Sequence, residues 1–289
     1  MRGFREAFES NEFLVTAEIA PPKGADMEPF LAAARTLKGK AHAINVTDNQ
    51  RAITRLSAVA ASAVLVQNGM EPICQIACRD KNRIALQSDI LGLWALGVRS
   101  VLGLTGDSVR SGDNKEAKPV FDLEAVKLIR LIDQLNKGIN VDGKELKGKT
   151  DFLIGAAVDP NHYGPKPFEM RFEQKIASGA RFFQTQPIFN EEKLEAFMKY
   201  VEPFKVKVLL GILLLRSAKQ AHFLNSKVPG IKISEQIISK LESSPNPLEV
   251  GIDYAASLVQ RYKKIAPGVH IMTVGHEELH AEVIRRSGL

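Results

Sequence analysis

The chain has 289 residues, with 39 Lys and Arg against 33 Asp and Glu, a formal net charge of +6, 45 % apolar residues and 25 % charged ones. That balance excludes a disordered chain, and 21 glycines are far too few for collagen. The length suits one large domain or two small ones, and about 250 residues is typical of a single α/β barrel.

In chain order, short apolar runs alternate with longer amphipathic ones. Strands are expected at 13–19, 43–46, 72–78, 100–104, 151–158, 181–185, 206–213 and 269–273. Helices are expected at 27–37, 54–67, 81–96, 122–135, 166–178 and 190–201, then near 217–224, 234–241, 248–264 and 276–286. Asp122 is a candidate N-cap and Gly179 a candidate C-terminal stop. The stretch 136–149, rich in Gly and Lys, reads as a loop or small hairpin. Continuous apolar strands such as FLIGAAV and VKVLLGI suit a parallel sheet covered by helices. Eight such units predict a (β/α)8 TIM barrel with an extra N-terminal helix, a single catalytic domain over 1–289. A doubly wound open sheet is the structural alternative.

The most apolar stretch, 206–215, contains Lys207 and runs into Arg216, so it is too short to cross a bilayer. The N-terminus, MRGFREAFESNEF, lacks an apolar signal core. Cys74 and Cys78, about 13 Å apart if they share one strand, cannot pair. A cytoplasmic protein with reduced thiols is expected. Aromatics are 7 % and no basic cluster interleaves with them, which argues against a nucleic-acid partner. The spread of positive charge suits a small anionic ligand.

In a barrel of this kind, chemistry sits where strands end. Glu18 follows VTA and precedes Ile19-Ala20-Pro21-Pro22; partial desolvation there raises its pKa toward a general-acid value, and a salt-bridged strand-end carboxylate is the plain alternative. Thr47, Asp48 and Asn49 follow the second strand, and Gln75 lies on the third. Asp107 stands in Thr-Gly-Asp, where Gly106 permits close backbone approach by a ligand; a turn aspartate is the alternative. Asp159, Asn161 and His162 follow the fifth strand. Gln184 and Gln186 are two apart and can share a strand face, from which an amide reads a heterocycle edge, or they are rim residues.

His276-Glu277-Glu278-Leu279-His280 matches H-E-x-x-H, the zinc-protease helix, but no third ligand follows at a suitable spacing. A zinc hydrolase through His276 and His280 is accordingly a minor alternative. The chain has no Walker A loop, no G-x-G-x-x-G after the first strand and no G-x-S-x-G elbow.

These strand-end blocks resemble the methylenetetrahydrofolate reductase family, in its form with a catalytic domain only. The likeness runs over essentially the whole chain: Glu18 in TAEIAPPKG, Thr47 in NVTDN, Gln75-Ile76-Ala77-Cys78, Leu104-Thr105-Gly106-Asp107, Ala156-Ala157 with His162, Lys175 before Ser178-Gly179-Ala180, Thr185-Gln186 before Phe189, and Gly211-Ile212-Leu213 with Lys219-Gln220. The resemblance implies an oxidoreductase of one-carbon metabolism and methionine biosynthesis. Reduced flavin N5 would pass a hydride to 5,10-methylenetetrahydrofolate, with Glu18 as the general acid at N10. Asp107 would bind the pterin and tune the flavin. Gln186 and Gln220 would orient the folate. Thr47, Gln75, Ala77, Gly106, Asp107, Phe121, His162 and Lys175 would contact flavin, as FAD or alternatively FMN. The electron donor would be NAD(P)H or an iron–sulfur partner subunit, within an oligomer or hetero-complex. The chain departs from the family pattern at Gln75 (often His), Phe121 (usually Tyr), Leu214 (Pro) and Gly275-His276 (Asn-Arg). A non-catalytic flavin- or folate-binding subunit of a larger complex is the rival reading.

Overall fold

The computed structural model describes residues 1–228 and 230–289. Eight strands, β1 (Leu14–Ile19), β2 (Ala43–Val46), β3 (Pro72–Ala77), β4 (Ser100–Leu104), β5 (Leu153–Val158), β6 (Phe182–Pro187), β7 (Lys207–Leu213) and β8 (Gly268–Met272), form a closed barrel in sequence order. All pairings are parallel, and β8 returns to β1. This is the (β/α)8 barrel that the alternation predicts. A short helix, α1 (Phe4–Glu9), precedes it. The outer ring is α2 (Glu28–Thr36), α3 (Ala58–Gln67), α4 (Arg83–Ala95), α5 (Ala125–Asn136), α6 (Lys166–Ala177) and α7 (Glu191–Val201). Between β7 and β8 the chain makes α8 (Ala218–Lys227), α9 (Glu235–Ser243) and α10 (Pro247–Tyr262); α11 (His280–Arg286) follows β8. No helix of the described residues is long and apolar enough to cross a membrane.

Strand periodicity fills the barrel in layers, because residues two apart face the same side. The lowest layer is apolar. Phe4, Ala7 and Phe8, spaced as one helical face, pack with Leu14, Ile73, Leu102, Leu153, Phe182 and Leu209. The charged N-terminus thus hides an apolar stripe that closes the bottom of the barrel. Burying Phe4 there contributes roughly 1.5–3 kcal/mol, and its ring meets Phe182 edge-on at 5.3 Å. Gly155 makes room for that ring, since a Cβ at 155 would lie 2.2 Å from Phe182. One step up, β1, β3 and β6 present Thr16, Gln75 and Gln184, and β8 presents His270. At the top come Glu18, Ala77, Gln186 and Met272.

Some element ends differ from expectation for identifiable reasons. Helix α5 is capped by Glu124, which accepts from the Val126 and Lys127 amides, and not by Asp122. Asp122 instead pairs with Arg83 at the start of α4. Helix α3 starts at Ala58 because Ser57 caps it. Ile139 and Glu145 form an antiparallel bridge within the stretch read as a loop or hairpin. Cys74 and Cys78 are free and buried, and burial pushes both thiols up to about 12.

The H-E-x-x-H stretch is not a metal helix. Residues 277–279 form a 3-10 turn, and α11 begins only at His280. His276 faces Glu278 at the surface. His280 is fully buried; its Nδ1 lies 2.8 Å from the Glu277 carbonyl and its Nε2 3.2 Å from the Thr273 hydroxyl. No group of three potential metal ligands occurs among the described residues. Burial lowers the His280 pKa to about 4. The unfolded chain, with an ordinary histidine, therefore binds more protons once the pH falls below about 6.5. Stability should be fully present above that value and fall by up to about 3 kcal/mol as the pH drops toward 4. Urea denaturation of wild type and His280→Gln at neutral and acid pH measures this. Equal acid losses in the two proteins would remove His280 as the cause.

Candidate active site

The strand register brings the central groups together. Thr16 pairs with His270 across β1 and β8, and Glu18 with Asn45 across β1 and β2. Glu18 is only 11 % exposed. Its Oε1 accepts from the Gln50 amide at 3.1 Å and its Oε2 from the Gln75 amide at 3.2 Å. His270 Nε2 lies 3.7 Å from the same Oε2. Burial pushes the Glu18 pKa up, but the hydrogen bond and charge of His270 and the two amide donors outweigh it, and the net direction is down. This corrects the expectation of a raised value: desolvation is present, and polar neighbours invisible in the local sequence overcome it.

Below Glu18 lies a buried polar layer. His270 Nδ1 is 3.0 Å from Thr16 Oγ1, which also accepts from the Gln184 amide at 3.1 Å and approaches the Val269 carbonyl at 3.3 Å. Gln184 and Asn45 exchange two amide hydrogen bonds. If Thr16 gives its proton to Val269, His270 donates to the Thr16 oxygen from Nδ1. If Thr16 gives its proton to His270 Nδ1, Nε2 itself carries the proton toward Glu18. Neither Thr16 nor His270 stood out in the sequence; both lie inside strands, where the available signal was only a polar side chain in an apolar run.

The cavity above this layer has a volume of about 370 Å³ and is lined among others by Glu18, Gln75, Ala77, Gly106, Asp107 and Gln186. Gly106 has φ +96°, and a Cβ there would meet Arg79 Cβ at 2.9 Å, so glycine is required at this turn. Asp107 accepts from the Arg51 backbone amide at 2.8 Å. Asp48, also on the wall, accepts from Ala77 N at 3.0 Å and faces Lys81, and burial pushes its pKa up. Gln75, expected at the flavin, is bonded to Glu18.

A second cavity of about 290 Å³ is lined by His162, Arg171, Lys175, Phe168 and Phe172, and shares Ala157 and Gln186 with the first. A bulge between β6 and β7 shifts the register from Gln184 to Pro187, which brackets Gln186. The Lys175 ammonium donates to the Ala157 carbonyl at 2.6 Å. Burial lowers its pKa to about 8, and Arg171 adds to the shift. Thr47 is buried, and its hydroxyl has no partner among the described residues. Thr47, Phe121 and Gln220 line neither cavity. Phe121 is 39 % exposed at φ +41°, and the Gln220 amide oxygen accepts from the Arg216 backbone.

These features fit a flat heteroaromatic group bearing phosphates. The two cavities are of ligand size and adjoin. One is lined by amides and carboxylates, the other by a cationic pair against phenylalanines.

The family model described as methylenetetrahydrofolate reductase matches residues 3–288. A Caenorhabditis elegans protein named as a probable methylenetetrahydrofolate reductase (NADPH) is 21 % identical over 245 residues, 82 % of this chain and 35 % of that protein. The chain therefore spans about a third of the length of that relative. Among solved structures, a Clostridium thermocellum protein described as binding two copies of 5-methyl-5,6,7,8-tetrahydrofolic acid superposes with a TM-score of 0.65 at 15 % identity, covering 98 % of this chain and 96 % of that one. EDTA monooxygenase from Chelativorans superposes with a TM-score of 0.59 at 9 % identity, covering 96 % and 92 %. At such identities the structural likenesses speak for the fold. With a match over nearly its whole length, the chain belongs to the methylenetetrahydrofolate reductase family.

Proposed function

We propose that this chain is a flavin-dependent catalytic barrel, one domain over 1–289, that interconverts 5,10-methylenetetrahydrofolate and 5-methyltetrahydrofolate. The observation that carries this reading is Glu18, a buried carboxylate at the floor of the cavity that accepts from Gln50 and Gln75 and lies 3.7 Å from the His270 ring. Bound flavin, when reduced, supplies the hydride. Arg171, Lys175 and His162 would take its phosphates, and Ala77, Gly106 and Gln75 would face its ring. Glu18 delivers a proton to N10 as the bond from N10 to the one-carbon bridge breaks, which leaves an iminium on N5 of the folate. The bridge carbon then accepts two electrons with the hydride and becomes the methyl group. His270, backed by Thr16 and Gln184, returns a proton to Glu18. Asp107 accepts from the pterin edge, and Gln186 orients the ring. Electrons come from NAD(P)H or from an iron–sulfur partner subunit.

The direct test is the visible spectrum of the purified protein, followed by anaerobic reduction. Flavin bands bleached by 5-methyltetrahydrofolate support the reading, and bleaching by NADH or NADPH identifies the donor. A colourless protein that takes up neither FAD nor FMN overturns it. Asp107→Asn removes a negative charge from the cavity wall. The flavin potential should rise and folate reduction should slow by about ten- to a hundredfold. An unchanged potential would place Asp107 away from the ring.

A further inference from the structure

Gln50 is an exposed loop residue, yet its amide ends on the buried Glu18 carboxylate. The loop that leaves β2 is left-handed at three non-glycine residues, Asn49 (φ 45°), Arg51 (φ 59°) and Ala52 (φ 57°). Such residues keep this conformation only where contacts over-determine it. The contacts are specific. Arg79, buried and paired with Asp80, donates to the Asn49 carbonyl at 3.1 Å. The Arg51 amide donates to Asp107, and the Gln50 side chain donates to Glu18. The loop therefore offers N–H donors to both carboxylates assigned to the folate. Folate in this cavity of about 370 Å³ would bring its pterin edge to Asp107 and N10 to Glu18, so it competes with the Arg51 amide for the first carboxylate and with Gln50 for the second.

We propose that Gln50 is a positioning residue that holds Glu18 as an ionised carboxylate while the cavity lacks folate, and that entering folate displaces it, so that the proton-donating form of Glu18 is reached in the complex. This inference rests on the assignment of Glu18 as proton donor. A neutral amide donor stabilises the carboxylate more than the acid, so its departure raises the proton affinity of Glu18. The other groups that bear on Glu18 are Gln75 from β3 and His270 from β8, with Asp48, Arg51, Arg79 and Asp107 on the same cavity wall. Gln75 and His270 sit on barrel strands and cannot leave. Gln50 alone among the three direct contacts of Glu18 sits on an exposed loop.

The test is the ionisation of Glu18 itself, followed by infrared spectroscopy of the full chain, as purified, with carboxyl-labelled glutamate; subtraction of Glu18→Gln assigns the band. Gln50→Met keeps the length of the side chain and removes the donor. In the absence of folate it should raise the Glu18 midpoint by about half a unit to one unit, the effect of one neutral hydrogen bond. With saturating 5-methyltetrahydrofolate the wild-type midpoint should rise and the difference between the two proteins should vanish. Gln50→Glu, which puts a second negative charge against Glu18, should raise the midpoint in the free protein further and serves if the methionine variant is unstable. Identical midpoints in the free proteins, or a difference that persists in the complex, overturn the proposal. If no protein takes up 5-methyltetrahydrofolate, the functional reading and the release step fall together, while the free-protein midpoints still decide the Gln50 contact.

Discussion

Glu18→Gln should lower the rate of folate reduction by about 10²–10⁴-fold, the usual worth of a positioned general acid, while the protein still binds flavin and 5-methyltetrahydrofolate. The substitution is isosteric: the new amide oxygen can still accept from one of Gln50 and Gln75, and the other keeps a bond by turning its own oxygen toward the new NH2. What it loses is the ionisable carboxyl, the group that protonates N10. Anaerobic mixing of the reduced protein with methylenetetrahydrofolate measures the rate, and quenching of flavin fluorescence on titration with methyltetrahydrofolate measures binding. Turnover near the wild-type rate would remove Glu18 as proton donor. A parallel collapse of binding would make its role structural.

Lys175→Met should weaken flavin binding by roughly ten- to a hundredfold, the worth of one charged hydrogen bond, without destabilising the flavin-free chain. The ammonium is half-buried beside Arg171, and its sole hydrogen bond among the described residues goes to the Ala157 carbonyl, so the charge costs desolvation in the folded state. A methionine of similar volume removes that cost. The pH dependence carries the same sign. A lysine whose folded pKa is about 8 binds fewer protons than the unfolded chain between that value and about 10.4, so its contribution to stability rises with pH across this window. In flavin-free Lys175→Met that rise should disappear. Denaturation midpoints across the window, with and without flavin, check both halves. Unchanged flavin affinity would move the phosphate site elsewhere.

The barrel was legible because its strands are short apolar runs and its helices are longer amphipathic ones, a contrast carried by neighbouring residues alone. Ala77 came only from the family resemblance, whereas Glu18, Gly106, Asp107 and Gln186 were legible as candidates for a related reason. Each is polar or small where an apolar strand ends, and a parallel barrel puts all such ends on one face. Their chemistry was not equally legible. The local apolar neighbours of Glu18 suggested a raised pKa, yet Gln50, Gln75 and His270, from three other parts of the chain, reverse the direction. The zinc-like H-E-x-x-H pattern failed because the helix it needs starts only at its last residue. The roles of Thr47, Phe121 and Gln220 came from resemblance, and none of the three lines either cavity.

Periodicity in the sequence by itself determined the eight strand and helix units, their order, and the polar residues at strand ends. Tertiary structure decided which of those residues meet. Thr16 and His270 are separated by 254 positions and become neighbours only when β8 closes on β1. Gln50 reaches Glu18 only through a loop conformation fixed by Arg79 and Asp107. Proton affinity is a sum over neighbours within a few ångströms, and those neighbours are assigned by barrel closure, not by adjacency in the chain.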